Sequence, residues 1–200
     1  MLKGFSAFRP IPRSFFRRET VEVARDLIGA LLVRRFGDRM AALRITEVEA
    51  YRGRDDPASH AYRGNRGRAS IMYGEVGIAY IYLSYGINYC LNVTARSPFQ
   101  EAGAVLIRAA EPVFGLDLLE RDERKGQCRI ASGPGNLTRA IRIDIRYNGI
   151  DMTSDRTLFF SPGYLRDGER IVSGPRIGIS RGTDRPWRFY IEGNCSVSRL

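Results

Sequence analysis

The segment Ile45-Thr46-Glu47-Val48-Glu49-Ala50-Tyr51 sets two carboxylates and a phenol at alternate positions. On an extended strand, residues two apart share a face, so Glu47, Glu49 and Tyr51 point the same way. A carboxylate fixed on a strand beside an aromatic ring can serve as a general base. The same pattern also suits a solvated strand face carrying surface glutamates. The only histidine, His60, ends the run Asp55-Asp56-Pro57-Ala58-Ser59-His60, in a glycine-bounded loop able to fold back over that strand. A neutral imidazole can hydrogen-bond a nucleobase edge, whereas a protonated one only donates. A lone loop histidine is equally an ordinary polar side chain.

Aromatics and cations follow. Tyr80 and Tyr82 share one strand face, suited to a core or to a pocket wall. Tyr85 stands at the Tyr85-Gly86 turn, where an aromatic projects and can stack on a base or wedge between two. Arg63, Arg66 and Arg68, in the loop before them, can pair with phosphates or stay solvated. Asn92 and Arg108 interrupt otherwise apolar strands. An arginine among Val105, Leu106, Ile107 and Ala109 needs a carboxylate or backbone partner. With one it is either a structural ion pair or a group that orients a carboxylate or a water.

These residues need elements to hold them. Residues 1–16, with prolines and aromatics, read as an arm. Residues 20–28 read as a helix capped by Thr20, with Val21, Ala24, Leu27 and Ile28 on one face and Gly29 closing it. Strands are expected at Ala30–Phe36, Met40–Ala50, Ile78–Leu83, Asn88–Thr94 and Ala104–Ala110, the last closed by Glu111-Pro112. Residues 113–124 read as a helix with Leu116 and Leu119 inward, and Ser132-Gly133-Pro134-Gly135 opens another helix reaching Ile141. Further strands are expected at Thr157–Phe160, Ile171–Ser180 and Trp187–Glu192. Strands with a few helices, without regular β-α-β alternation, indicate an α+β fold. A chain of 200 residues with no linker or repeat indicates one domain.

Composition narrows the function classes. The chain carries 32 basic and 22 acidic side chains, a formal charge of +10, and all but Lys3 and Lys125 of the basic ones are arginines. Nucleic acid is the first partner for such a domain, against a background of simply solvated charge. Cys90, Cys128 and Cys195 form no C-x-x-C pair, which argues against a zinc site, and their odd number argues against a disulfide framework. No apolar run approaches the roughly 20 residues of a membrane span, and the first residues lack a signal-peptide core. A metal-free protein of the cytoplasm or nucleoid is expected.

The ordered set Glu49-Ala50-Tyr51, Asp56-Pro57-Ala58-Ser59-His60, Tyr82-x-x-Tyr85-Gly86, Cys90-Leu91-Asn92, Arg108-x-x-Glu111-Pro112 and Ser132-Gly133-Pro134 closely resembles the alkyladenine (3-methyladenine) DNA glycosylase family, mammalian-type enzymes also found in bacteria. The resemblance runs from about Pro12-Arg13-Ser14-Phe15 to Arg188-Phe189-Tyr190, nearly the whole chain. It implies a single compact α+β domain around a curved, mainly antiparallel, barrel-like sheet with flanking helices, working as a monomer without cofactor. It also implies a duplex-DNA partner containing damaged purines. In the roles it implies, Glu49 activates water, Arg108 holds water and carboxylate, and the Ile177 carbonyl is a third contact to that water. Tyr51, His60 and Tyr82 form the base pocket, and Asn92 disfavours guanine. Tyr85 is the wedge, with Ile87 beside it and Arg63, Arg66 and Arg68 on the DNA.

The chain departs from the family's pattern in several places. Asn65–Ala69 lacks the usual Thr-Pro pair, Glu75-Val76-Gly77 replaces two prolines before a glycine, Asn88 replaces an aromatic or histidine beside the wedge, and Asn136 replaces a lysine. These bear on substrate range and DNA affinity rather than on Glu49 or Arg108. The rival readings are a non-catalytic damaged-DNA-binding domain and an RNA-binding or RNA-modifying domain on the same scaffold.

Overall fold

The computed structural model describes residues 8–121 and 126–198. Its elements are α1 (Arg13–Phe16), α2 (Thr20–Asp26), β1 (Leu31–Phe36), β2 (Arg39–Arg52), α3 (Ser70–Tyr73), β3 (Ala79–Ser84), β4 (Asn88–Thr94), β5 (Gly103–Phe114), α4 (Pro134–Ala140), β6 (Leu158–Ser161), β7 (Ile171–Gly174) and β8 (Arg188–Ile191). The strands form one eight-stranded sheet in the order β3-β4-β5-β2-β1-β6, with β8 pairing β2 and β7. Every pairing is antiparallel. The sheet is open rather than a closed barrel, with β3 and β6 at the ends of the main path. This is the expected α+β class.

β2 organises the sheet. Its first half pairs β1 through Arg39 to Arg44, and its second half pairs β8 at Glu47 to Glu49, while β5 runs along its other edge. The register with β5 shifts on both sides of Glu47. Bulges of this kind bend a strand and re-aim its side chains. Here the shifts lie where β1 gives way to β8, and both Glu47 and Glu49 are fully buried. The core beneath holds Leu27, Leu32, Leu43, Ile45, Ile107 and Phe160. A smaller cluster, centred on Met72 and Tyr80, packs under Tyr51 and Tyr82.

Several sequence-based expectations change. Within residues 1–16, the first seven lie outside the described residues, and Arg13–Phe16 forms a helical turn that buries Phe16. The cap of α2 is Glu19, whose carboxylate accepts from Val21 N (2.7 Å) and Glu22 N (3.0 Å), because the Thr20 hydroxyl is buried on the Ala95 carbonyl at 2.9 Å. The strand expected to close at Glu111-Pro112 continues to Phe114, with Glu111 opposite Arg44 and bonded to it at 2.7 Å. The helix expected over 113–124 is therefore absent from its first residues. Leu116–Leu118 is a single 3₁₀ turn, and 122–125 lie outside the described residues. β7 ends at Gly174 because Pro175 has no N–H for the ladder, and the loop that follows reaches the site described next.

The expectation of no disulfide is overturned. Cys128 and Cys195, separated by 67 residues in sequence, are bridged with Cα atoms 5.5 Å apart, and Cys90 is the buried free thiol. The odd cysteine count therefore does not exclude a bridge. Among the described residues no helix is long and apolar enough to cross a membrane. No group of three or more His, Cys, Asp or Glu residues among them is placed to hold a metal.

Candidate active site

β2 delivers Glu49 fully buried, with no exposed surface. The Ile177 N–H donates to its Oε1 at 2.7 Å, and the Tyr51 hydroxyl donates to its Oε2 at 2.8 Å. From β5 the Arg108 guanidinium reaches both carboxylates. Its Nε donates to Glu47 at 3.2 Å, and its Nη1 lies 3.4 Å from Glu49 Oε1. Glu47 is the hub of a second layer, accepting from Arg188 Nε at 2.7 Å and from the Ser198 N–H at 2.7 Å. The alternate carboxylates therefore share a face, as expected, but that face is dry.

Burial decides the electrostatics. Loss of solvent raises the proton affinity of Glu49, Arg108 together with the Ile177 and Tyr51 donors opposes that rise, and Glu47 adds to it. Burial first, and the Glu49 charge second, hold the Tyr51 phenol well above its ordinary range, so it stays a donor. Burial lowers the proton affinity of His60, and Arg68 lowers it further, so the ring is neutral at physiological pH.

Glu49 stands behind the wall of a cavity of about 730 Å³. The three residues that bond it, Tyr51, Arg108 and Ile177, line that cavity together with His60, Arg68, Tyr80, Tyr82, Tyr85 and Asn92. His60 comes from a 3₁₀ turn (His60–Arg63) capped by Ser59, and its Nδ1 lies 2.7 Å from the Tyr80 hydroxyl. The His60 and Tyr82 rings meet edge-on, 4.7 Å apart. Asn92 is buried, its amide donating to the Tyr80 carbonyl at 3.0 Å. At the rim Tyr85 is 90% exposed with φ of +50°, a conformation that L side chains rarely adopt, and Gly86 follows at +70°. That tight turn projects the ring out of the protein.

Ile87, 76% exposed, stands beside Tyr85 over a smaller cleft of about 310 Å³ shared with Asn88 and Arg139. Arg63 and Arg66 are exposed and stand outside the cavity lining, whereas Arg68 lies over the Tyr82 ring at 5.7 Å. Ile177 meets Glu49 through its N–H, a contact that the carbonyl role did not include.

These features coincide with a family. Residues 14–195 match the methylpurine-DNA glycosylase family. The chain belongs to it. Relatives in this methylpurine-DNA glycosylase family include three proteins named "Putative 3-methyladenine DNA glycosylase". That of Carboxydothermus hydrogenoformans is 42% identical over 190 residues, covering 94% of this chain and 98% of its own. That of Methanoculleus marisnigri is 44% identical over 193 residues, with 94% and 98% covered. That of Rhodopseudomonas palustris is 45% identical over 195 residues, with 94% and 90% covered.

Sequence reasoning left out Asp56, Arg176, Arg188 and Ser198 as site residues, although all four bond the carboxylate cluster or the strand carrying it. Asp56 and Arg176 sit inside the same short motifs as His60 and Ile177, but no local signal pairs two residues 120 positions apart. No local signal marks Arg188 or Ser198, whose contacts depend on segments more than a hundred residues from β2.

Proposed function

We propose that this glycosylase flips damaged purines, such as 3-methyladenine, other alkylated purines, hypoxanthine and ethenoadenine, out of duplex DNA and hydrolyses the N-glycosyl bond. The observation that carries this reading is the juxtaposition of a dry, donor-ringed carboxylate with an aromatic cavity whose mouth bears the exposed Tyr85.

Extruding a stacked base costs roughly a few kcal/mol, least for damaged or mispaired bases, which supplies part of the selectivity. Tyr85 fills the gap that the extruded nucleotide leaves. The base enters between the faces of Tyr51 and Tyr82, where stacking returns about 1–3 kcal/mol. A neutral His60 that accepts the Tyr80 hydroxyl at Nδ1, 2.7 Å away, presents its Nε2–H to the base edge. Asn92, held by the Tyr80 carbonyl, takes the role of disfavouring guanine through its exocyclic amine.

Cleavage develops oxocarbenium character on the sugar. Glu49 takes a proton from the attacking water and its charge stabilises that cation, while Arg108 and the Ile177 carbonyl hold the water. Cationic 3-methyladenine leaves as the neutral free purine, a neutral base such as hypoxanthine needs a proton delivered to it as it leaves, and the product is an abasic site. No lysine lies between residues 45 and 92 to form a Schiff base, so the strand is left uncut. Arg63, Arg66 and Arg68 bind the DNA backbone, and the protein works as a monomer without metal or cofactor.

The test is free-base release from duplexes carrying a single hypoxanthine or ethenoadenine, and from methylated DNA, at low salt. Release that leaves an alkali-labile abasic site and is lost in Glu49→Gln supports the reading. Excision that persists in Glu49→Gln removes Glu49 from its role. Tight lesion binding without release from any substrate favours the damage-binding alternative.

A further inference from the structure

We infer that the buried Arg176–Asp56 ion pair is the positioning device of this site, aiming both hydrogen-bond donors of Glu49 and clasping together the two loops that wall the cavity. The inference rests on the reading of Glu49 as the base. Both side chains are fully buried. The pair is bidentate, with Arg176 Nη1 donating to Asp56 Oδ2 at 2.6 Å and Nη2 donating to Oδ1 at 2.7 Å. Asp56 is itself fixed, accepting from the backbone of Arg52 (3.0 Å) and Ala58 (3.2 Å). A bidentate fork of this kind sets orientation as well as proximity.

The remaining contacts of Arg176 make the fork part of the site. Nη1 also donates to the Ala50 carbonyl at 2.9 Å, one residue after Glu49, and Arg176 itself immediately precedes Ile177. The peptide N–H that bonds Glu49 Oε1 is thus pinned to the strand that carries Glu49. The guanidinium also lies 4.7 Å from the centre of the Tyr51 ring, whose hydroxyl bonds Glu49 Oε2. Nη2 closes on the Gly182 carbonyl at 3.3 Å, drawing residues 177–181 into a clasped loop. That loop lines the cavity, and so do Pro57 and Ala58, next to Asp56. A buried pair gains little over an apolar filler of the same volume in stability alone. What it contributes here is geometry.

The consequence is a pH signature. Glu49 is faced by Glu47 and Tyr51 on β2, Arg108 on β5, Tyr82 on β3, Cys90 on β4, Arg188 on β8 and Arg176 itself. Its two short hydrogen bonds come from groups that Arg176 holds. Loosening the clamp withdraws donors that favour the carboxylate, so Glu49 takes up its proton at higher pH.

Arg176→Lys keeps the charge and removes the fork. Single-turnover excision from methylated duplex DNA, followed across pH, is expected to show the acid limb displaced upward by roughly one to two pH units, with the largest loss of rate at acid pH. Asp56→Asn, which leaves the guanidinium its two carbonyl acceptors, is expected to move the limb the same way. A rate lowered by one factor at every pH, with the midpoint fixed, overturns the inference, because that is what simple structural damage produces. Should neither variant fold, amide exchange in the unaltered protein decides: Ile177 N–H is expected to be protected, and exchange at the rate of an open loop overturns the clamp. Excision retained by Glu49→Gln defeats the parent reading, whereas an inactive Glu49→Gln beside an unmoved limb defeats only the clamp.

Discussion

Replacing Glu49 by glutamine should make the protein more stable while abolishing excision. Burial raises the proton affinity of Glu49 despite Arg108 and two donors, so the ionised carboxylate sits less favourably in the fold than in water. A group of this kind contributes stability below the ordinary glutamate pKa of 4.5 and loses that contribution as pH rises through the folded-state value. At neutral pH the fold therefore carries the cost of a dry charge. The amide carries none. Its carbonyl still accepts from Ile177 N–H at the 2.7 Å position and stays 3.4 Å from Arg108 Nη1, its NH₂ can donate to a reoriented Tyr51 hydroxyl at the 2.8 Å position, and the 3.5 Å bond from Arg108 Nη1 to Oε2 disappears with the charge. Arg108 keeps Glu47 at 3.2 Å. The expected gain is about 1 kcal/mol, a rise in Tm of about 2–4 °C for a chain of this size. Calorimetric melting at neutral pH and below pH 4.5, paired with single-turnover excision, measures it. The gain should shrink on acidification as the unaltered Glu49 takes up its proton. A Glu49→Gln protein that is less stable at neutral pH, or a gain equal at both pH values, refutes the argument that burial outweighs the donors around this carboxylate.

Three further outcomes are expected. Tyr85→Ala preserves the Cβ at φ of +50° and removes an exposed ring, so melting should move by less than about 0.5 kcal/mol while retention of a flipped base weakens by about 1–3 kcal/mol; lesion binding equal to that of the unaltered protein would remove the wedge. DNA affinity should fall steeply with salt, and replacing Arg63, Arg66 or Arg68 by glutamine should flatten the log–log slope by roughly 0.9 for each phosphate no longer neutralised, whereas an unchanged slope means that other cations bind the backbone. Reduction of the Cys128–Cys195 bridge, which closes a loop of 67 residues, should cost roughly 4 kcal/mol in the chain-entropy picture, read as a lower Tm in the presence of reductant; an unaltered Tm would show that the bridge constrains nothing.

The strands were legible because their signal is local. Asn88–Thr94 appears with the expected bounds, and Met40–Ala50 only lengthens at both ends, to Arg39–Arg52. The misread helix over 113–124 shows what competes with local period. Leu116 and Leu119 have helical spacing, but the chain before them is held extended by the Arg44–Glu111 pair across the sheet, a contact 67 positions away in sequence. The Cys128–Cys195 bridge escaped for the same reason, since an odd count of cysteines says nothing about which two the fold will bring together.

The site divides along the same line. Alternation alone places Glu47, Glu49 and Tyr51 on one face. Whether that face is wet or dry is settled by Arg188 and Ser198, 141 and 151 positions from Glu47, and by Ile177, 128 positions from Glu49. The distinction carries the chemistry. A solvated glutamate is an ordinary surface carboxylate, with its charge screened by water and no particular direction to its lone pairs. The same glutamate, dried by distant segments and bonded at each oxygen by a fixed donor, keeps a raised proton affinity and an aimed geometry, the two properties that the proposed role as base calls for. The residues that provide the dryness are invisible to motif reasoning because they need only be present at the end of the fold, not near the glutamate in the chain.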